Sequence, residues 1–215
     1  MRFVRQSSFE EFIRHYLERE RRKHRQNPDL SGVPMELLMA EMRETWPGKL
    51  RGWFERGRWS VVSMDTPGDA MTLVCLDNPA MRAAGLVDGA ARDNRIARTV
   101  VARAHETGLF EDRGTTGGGL IEAFRTKRTE AMRANWPPLR GGERLVLSSL
   151  NSGEKAENPS GSWYLHDGCG RLVAYLYAVA YENRPYAPIE ALLAEEDGQS
   201  SAGPVIRQSA LSEIR

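Results

Sequence analysis

The chain is poor in cysteine, histidine, net charge and long apolar runs, and each shortage removes a class of protein. Its 215 residues hold two cysteines, Cys75 and Cys169. Neither has a C-x-x-C neighbour or a nearby histidine pair, so no disulfide framework or structural zinc site is expected. The histidines, His15, His24, His105 and His166, are scattered beyond metal-ligand spacing. Thirty Lys+Arg against 29 Asp+Glu leave a formal charge of +1, so no whole-molecule field draws the chain to a polyanion or an anionic membrane. No run approaches the roughly 18 apolar residues that a membrane-crossing helix needs. The opening MRFVRQSSFEEF lacks the apolar segment and cleavage site of a secretory signal. A cytoplasmic location with no membrane partner is the expectation. Also missing are a G-x-S-x-G elbow, a G-x-G-x-x-G after a strand and the Gly-Lys-Ser/Thr ending of a Walker A loop.

What remains is the composition of an ordinary globular protein, 40% hydrophobic and 27% charged, long enough for one well-buried domain or two small ones. Residues 8 to 26 carry the clearest helix. Phe9, Phe12, Ile13, Tyr16 and Leu17 recur at helical spacing behind Ser8, with Glu11 placed to complete a capping box. The helix runs out in Arg19, Glu20, Arg21, Arg22, Lys23, His24 and Arg25 before Asn27-Pro28 stops it. That basic run reads as a solvated helix end suited to the helix dipole, or as a phosphate or nucleic-acid contact. A second helix starts at Pro34 and buries Leu37, Leu38 and Met42. Two β-rich runs, Trp59 to Met64 and Met71 to Leu76, flank Thr66-Pro67-Gly68-Asp69 and suggest a hairpin.

Residues 93 to 107 read as a helix with Ile96, Val100 and Ala104 on one stripe and Gly108 as its C′ residue. Another helix follows Gly117-Gly118-Gly119, a cluster that is either a linker or an anion cradle at a helix start. From Arg144 the pattern becomes strand (Arg144 to Leu150), polar connection, strand (Trp163 to His166), helix (from about Gly168) and strand (Tyr186 to Leu193). The expected architecture is α+β: a small mixed sheet with a strand-turn-helix phosphate site, preceded by a largely helical N-terminal half. The expected division is a mainly helical region with a short hairpin over 1–112, an α+β region over 113–196, and a flexible tail over 197–215.

The chemistry concentrates in His166-Asp167-Gly168-Cys169-Gly170-Arg171, where an aromatic-aliphatic strand turns into an apolar helix. Such a turn aims backbone N–H groups at one spot and lets a phosphate approach the main chain. Arg171 on the first helical turn would clamp a phosphoryl oxygen. Asp167 would cap the helix, hold a hydroxyl substrate or help bind magnesium. The same string also fits a plain N-cap aspartate with turn glycines and a surface arginine. Cys169 at a helix N-terminus beside Arg171 has thiolate-favouring surroundings, yet a small residue in a tight turn explains it as well. Glu143, Glu154 and Glu157, with Lys155 near them, are candidate charged groups, Glu143 being the first choice of base. Trp53 and Trp59 flank Arg56 and Arg58, an interleaving that would stack a base, or two core tryptophans beside exposed arginines.

Taken with the apolar helix and the later Arg184-Pro185-Tyr186-Ala187-Pro188-Ile189, the string resembles the ParB/sulfiredoxin superfamily over roughly residues 140 to 195. The resemblance implies a small α+β domain that handles nucleotide phosphates at this turn. Its members include ATP- or ADP-dependent free-serine kinases, sulfiredoxins, CTP-hydrolysing partition proteins and nucleases. Asp167, Gly168 and Arg171 match the family turn, and Cys169 stands where sulfiredoxins carry their nucleophile. Gly170 departs from the pattern, replacing the family histidine before the arginine, and His166 would supply an imidazole from another direction. The expectation is therefore phosphotransfer from ATP or ADP, with magnesium, to a small polar metabolite. On this reading Asp167, His166, Cys169 and Glu143 are catalytic candidates and Gly168, Gly170 and Arg171 bind the nucleotide. The alternative is a nucleic-acid-binding, nuclease or partition-type module using the basic run.

Overall fold

The computed structural model of the chain describes residues 1–45, 55–75, 79–87, 95–111, 144–149 and 163–195, with 119, 122, 125 and 126. Among them the chain forms β1 (Arg2–Gln6), α1 (Phe9–Lys23), α2 (Met35–Thr45), β2 (Arg58–Met64), α3 (Pro67–Met71), β3 (Val74–Cys75), α4 (Pro79–Ala83), α5 (Ala97–Glu106), β4 (Leu145–Ser148), β5 (Tyr164–Asp167), α6 (Cys169–Tyr181) and β6 (Ile189–Glu195). The expected α+β class with a small mixed sheet is observed. Six strands lie in the order β1-β2-β6-β4-β5-β3. β4 runs parallel to β6 and β3 parallel to β5, and the other neighbours are antiparallel. The three strands after residue 112, β6, β4 and β5, therefore sit together in the middle of one sheet, flanked by β1 and β2 on one side and β3 on the other, and β2 pairs with β6 along its whole length, from Arg58 opposite Glu195 to Met64 opposite Ile189.

Both faces of the sheet are covered. On one face α1 and α2 bury Phe12, Ile13, Leu17, Leu38 and Met42 against Trp59, Val61, Val146, Leu192 and Ala194. On the other, α3 to α6 pack Met81, Val100, Ala104, Leu172 and Tyr175 against Val62, Met64, Leu147, Leu165 and Leu193. Burial on both sides explains why β2 and β6 read as near-continuous apolar runs rather than alternating ones. α1 begins as its sequence suggests, with the Ser8 hydroxyl accepting from Glu11 N at 3.1 Å. The reciprocal half of the capping box is absent, because the Glu11 carboxylate is taken by Ser7 and Arg5. α5 ends with Gly108 at φ +61°, the left-handed C′ position expected of it.

Several expectations are corrected. The hairpin does not form: β2 pairs with β1 and β6, and β3 pairs with β5. Thr66-Pro67-Gly68-Asp69, which looked like its turn, instead starts α3 with a complete capping box between Thr66 and Asp69. Leu37 is 61% exposed, and α2 buries Leu38 and Met42 only. β1 has no counterpart in the sequence reading because it is an exposed edge strand whose arginines pair outward, Arg2 with Asp65 and Arg5 with Glu11. Of the helix after Gly117, the described residues Gly119, Glu122, Arg125 and Thr126 are helical. Trp53, Glu143, the connection containing Glu154, Lys155 and Glu157, and the 197–215 tail lie outside the described residues.

The α1 layer is fastened to the sheet by an aromatic stack, Phe12 on Trp59 at 4.5 Å between ring centroids and 13° between planes. Phe12→Ala removes one partner of this fully buried pair. We expect it to lower the unfolding free energy by about 3–5 kcal/mol, read as a lower urea midpoint with an unchanged slope.

Candidate functional site

The site is set by an irregularity in β5. Val146 pairs with Asp167 and Leu147 with Leu165, so β5 carries one extra residue, His166, as in a β-bulge. In a regular strand Asp167 would share the face of Leu165 and point into the α5/α6 core. The extra residue moves it to the face of Val146, which α1 covers. There Arg19 of α1 meets it in a direct ion pair, and Arg171 of α6 reaches the same carboxylate oxygen at 3.3 Å.

Gly168 follows with φ +93°, a left-handed conformation that favours glycine, and serves as N-cap of α6 without a side-chain cap. A Cβ there would run into Leu145 Cδ2 and lie 3.2 Å from Arg171 Nη2. The missing side chain therefore makes room for the arginine as well as for the turn. Gly170 lies in the first turn of α6 with ordinary helical backbone.

Arg19 is 5% exposed. Its Nη2 donates to Glu20 Oε1 at 2.9 Å, and its guanidinium lies over the Tyr16 ring at 5.3 Å. Its Nε is buried with no hydrogen-bond partner among the described residues. Burial and then the nearby Arg171 charge push its pKa down, against the pull of Glu20; it stays protonated nonetheless. His15, one turn earlier, donates from Nε2 to the Arg144 carbonyl at 3.1 Å. Burial, with the Arg19, Arg144 and Arg171 charges, lowers its pKa to about 4. Arg144 is held by Glu11 at 2.8 Å and Glu190 at 2.9 Å, which joins α1, β4 and β6.

The structure thus places Asp167, Gly168 and Arg171 together, with Arg171 on the Asp167 carboxylate. His166 is beside them, its Nε2 hydrogen-bonded to the Ser148 hydroxyl. Cys169 is not turned toward Asp167. It packs against the core on the other face, with Sγ 3.4 Å from Met81 Sδ. The basic run is not a solvated end throughout: Arg19 is buried in the site, Arg21 pairs with Glu41, Arg22 with Glu18 and Lys23 with Glu20. Sequence reading missed Arg19, His15, Ser148 and Tyr164, whose buried hydroxyl has no partner among the described residues. Only Arg19 left a sequence trace, as the first basic residue one turn beyond Tyr16 and so still close to the buried stripe.

Among the described residues no three His, Cys, Asp or Glu side chains converge as metal ligands, and Asp167 is already shared by two guanidiniums. These residues do not fit a protein-held magnesium site, which takes free carboxylates in an octahedral shell. No described helix is long and apolar enough to cross a membrane. Comparisons with protein-family models, with curated proteins and with solved structures find no match.

Gly168→Ala should cost at least about 2 kcal/mol of stability through the left-handed backbone and the clash with Leu145, measured by urea denaturation. His15 gives a pH signature. Its folded pKa, about 4, lies below the ordinary 6.5. The stability of the neutral form is therefore complete above pH 6.5 and is lost as pH falls to about 4. The full loss is on the order of 3 kcal/mol. His15→Gln keeps a donor for the Arg144 carbonyl and should flatten stability against pH in that window. Glu11, held at about 2 by Arg5 first and by Ser7 and Arg144 against burial, acts in a separate window, from 4.5 downward.

Proposed function

We propose that the chain is a nucleotide-dependent phosphotransferase that moves a phosphoryl group from ATP or ADP to a small polar metabolite. The observation that carries this reading is the pair of guanidiniums, Arg19 and Arg171, gathered on one oxygen of Asp167 beside the Gly168 turn. One carboxylate oriented between two arginines holds them in place for a multiply charged ligand. The first turn of α6 adds backbone N–H groups that no N-cap side chain occupies. The resemblance of residues 166 to 171 to the ParB/sulfiredoxin turn supports the same choice of ligand.

In this reading Arg171 and the backbone from Gly168 to Gly170 grip the phosphates. Asp167 fixes Arg171 and Arg19, and His166, oriented by Ser148, takes the proton of the acceptor hydroxyl as its oxygen attacks the terminal phosphorus. The bond from that phosphorus to the bridging oxygen breaks, and the shortened nucleotide leaves with the electron pair. Cys169 plays no part in the transfer, and Glu143 remains a candidate base outside the described residues. Magnesium, where required, enters on the nucleotide's own phosphates. Positioning and charge neutralisation make up most of what such a site has to supply.

A thermal-shift panel of ATP, ADP, CTP and GTP, with and without magnesium, tests this on the wild type, Arg171→Ala and Arg19→Gln. A nucleotide at 100 times its dissociation constant should stabilise the wild type by about 2.7 kcal/mol. Losing one charged clamp should weaken binding by about 10- to 100-fold, so that Arg171→Ala keeps only about 0.4–1.4 kcal/mol of the stabilisation at the same concentration. No shift with any nucleotide, or a shift undiminished in Arg171→Ala, overturns the assignment.

A further inference from the structure

Polar side chains occupy neighbouring positions on a sheet face that is otherwise apolar. Ser148 of β4 stands opposite Ala194 on one side and Tyr164 on the other, and Val146 stands opposite Leu192 and Asp167. Val146, Leu192 and Ala194 belong to the apolar layer that α1 and α2 cover. Ser148 and Tyr164 therefore share that face with Asp167. His166 joins them there, since its Nε2 is hydrogen-bonded to the Ser148 hydroxyl.

Tyr164 is the member without a visible task. It is 1% exposed, and its hydroxyl has no hydrogen-bond partner among the described residues. A phenylalanine would fill the same space and leave no buried hydroxyl unsatisfied, so the oxygen is accounted for only by a partner that comes and goes. Arg19 Nε, above the neighbouring Asp167, is a second buried donor left unpaired among the described residues. Both groups can donate, and what they select together is an oxygen.

β5 also sets these groups in order. From the Gly168 turn the chain passes back through Asp167 and His166 to Tyr164, each step about 3.3 Å along the strand. In phosphoryl transfer the leaving nucleotide and the attacking oxygen lie on opposite sides of the phosphorus. With the phosphates at the turn and the attacking hydroxyl at His166, the body of the acceptor extends toward Ser148 and Tyr164. Both of those residues are closed off from solvent, which leaves room for a small molecule only.

Resting on the transferase reading, we propose that Tyr164 is the acceptor-recognition residue. The acceptor is a small hydroxy compound with a second oxygen a few atoms from its reacting hydroxyl. The Tyr164 hydroxyl donates to that second oxygen, while His166 receives the proton of the reacting one. Tyr164 takes no part in gripping the nucleotide.

The test compares the full chain with Tyr164→Phe. Glycerol, glyceric acid and glyceraldehyde carry the second oxygen as hydroxyl, carboxylate and carbonyl, and each is offered as acceptor with ATP or ADP and magnesium. Product is followed by phosphorus NMR. The wild type should phosphorylate at least one of the three, and Tyr164→Phe should raise the KM for that compound by about 10-fold with kcat unchanged. The variant should keep the wild-type nucleotide thermal shift, and its urea midpoint should be no lower, because the change removes only an unsatisfied hydroxyl. An unchanged KM, a lower urea midpoint, a diminished nucleotide shift in the variant, or no product from any of the three while nucleotide still binds would each overturn the proposal. Absence of any nucleotide shift in the wild type is the separate failure of the transferase reading, and this assignment falls with it.

Discussion

The contact between Arg19 and Asp167 is the constraint around which the rest of the site is arranged. A buried guanidinium is tolerated only where a carboxylate compensates its lost hydration, and removing one partner from such a pair costs about 3–5 kcal/mol. Arg19 comes from the third turn of α1 and Asp167 is the last residue of β5, far apart in the sequence. For them to meet, α1 must lie on the Val146 face of the sheet, β5 must carry its extra residue at His166, and the chain must turn sharply at Gly168. Each of these is observed, and each has its own local cause. Phe12 and Ile13 drive α1 onto Trp59, the bulge resets the strand's parity, and glycine permits the left-handed turn.

The same helix is tied to the sheet by polar contacts at two further depths. Glu11 grips Arg144 at the head of β4, and His15 donates to the Arg144 carbonyl. Glu11, His15 and Arg19 are spaced four residues apart and so stand on one face of α1, each one turn deeper toward the site. That ladder makes α1 a wall of the candidate site as well as a cover for the core. It also explains why a positive cluster survives there: His15 is kept neutral by burial, so the charges that face one another are Arg19 and Arg171 across Asp167.

Local signals in the sequence were readable where local physics decides the outcome. The start of α1 at Ser8, the end of α5 at Gly108, and the strand-turn-helix at 164–181 all follow from capping, helical spacing and glycine backbone preference. The failures lie where partners are distant or where two local rules compete. At Thr66 to Asp69 turn composition and a capping box use the same residues, and the box prevails because both of its hydrogen bonds form. β1 is an exposed edge whose two apolar residues, Phe3 and Val4, are adjacent and both exposed, so no alternating apolar pattern marks it. The face on which Asp167 lies depends on one inserted residue in the pairing with β4, which no periodicity within β5 reveals. Arg19 was hidden by its neighbours: in a run of five cations, composition gives no reason to single out the one that turns inward.

The fate of that run also bears on the choice between a small anionic ligand and a nucleic acid. Affinity for a polyanion grows with the number of exposed cations that each displace counterions. Arg21, Arg22 and Lys23 are each paired, with Glu41, Glu18 and Glu20, although Arg22 and Lys23 stay exposed, and the overall charge is +1. A nucleic acid binding here would have to break those pairs one by one, giving up part of what each phosphate contact gains. At the Asp167 turn the guanidiniums are few, partly or wholly buried and fixed in direction, and the site gains from burial what it lacks in number, since a charge pair in a low-dielectric setting interacts more strongly than in water. A compact ligand with concentrated charge profits from that arrangement, whereas an extended one would reach it with only a single phosphate. That contrast is the reason our proposal is a nucleotide or a similarly compact phosphate ester and not a nucleic-acid strand.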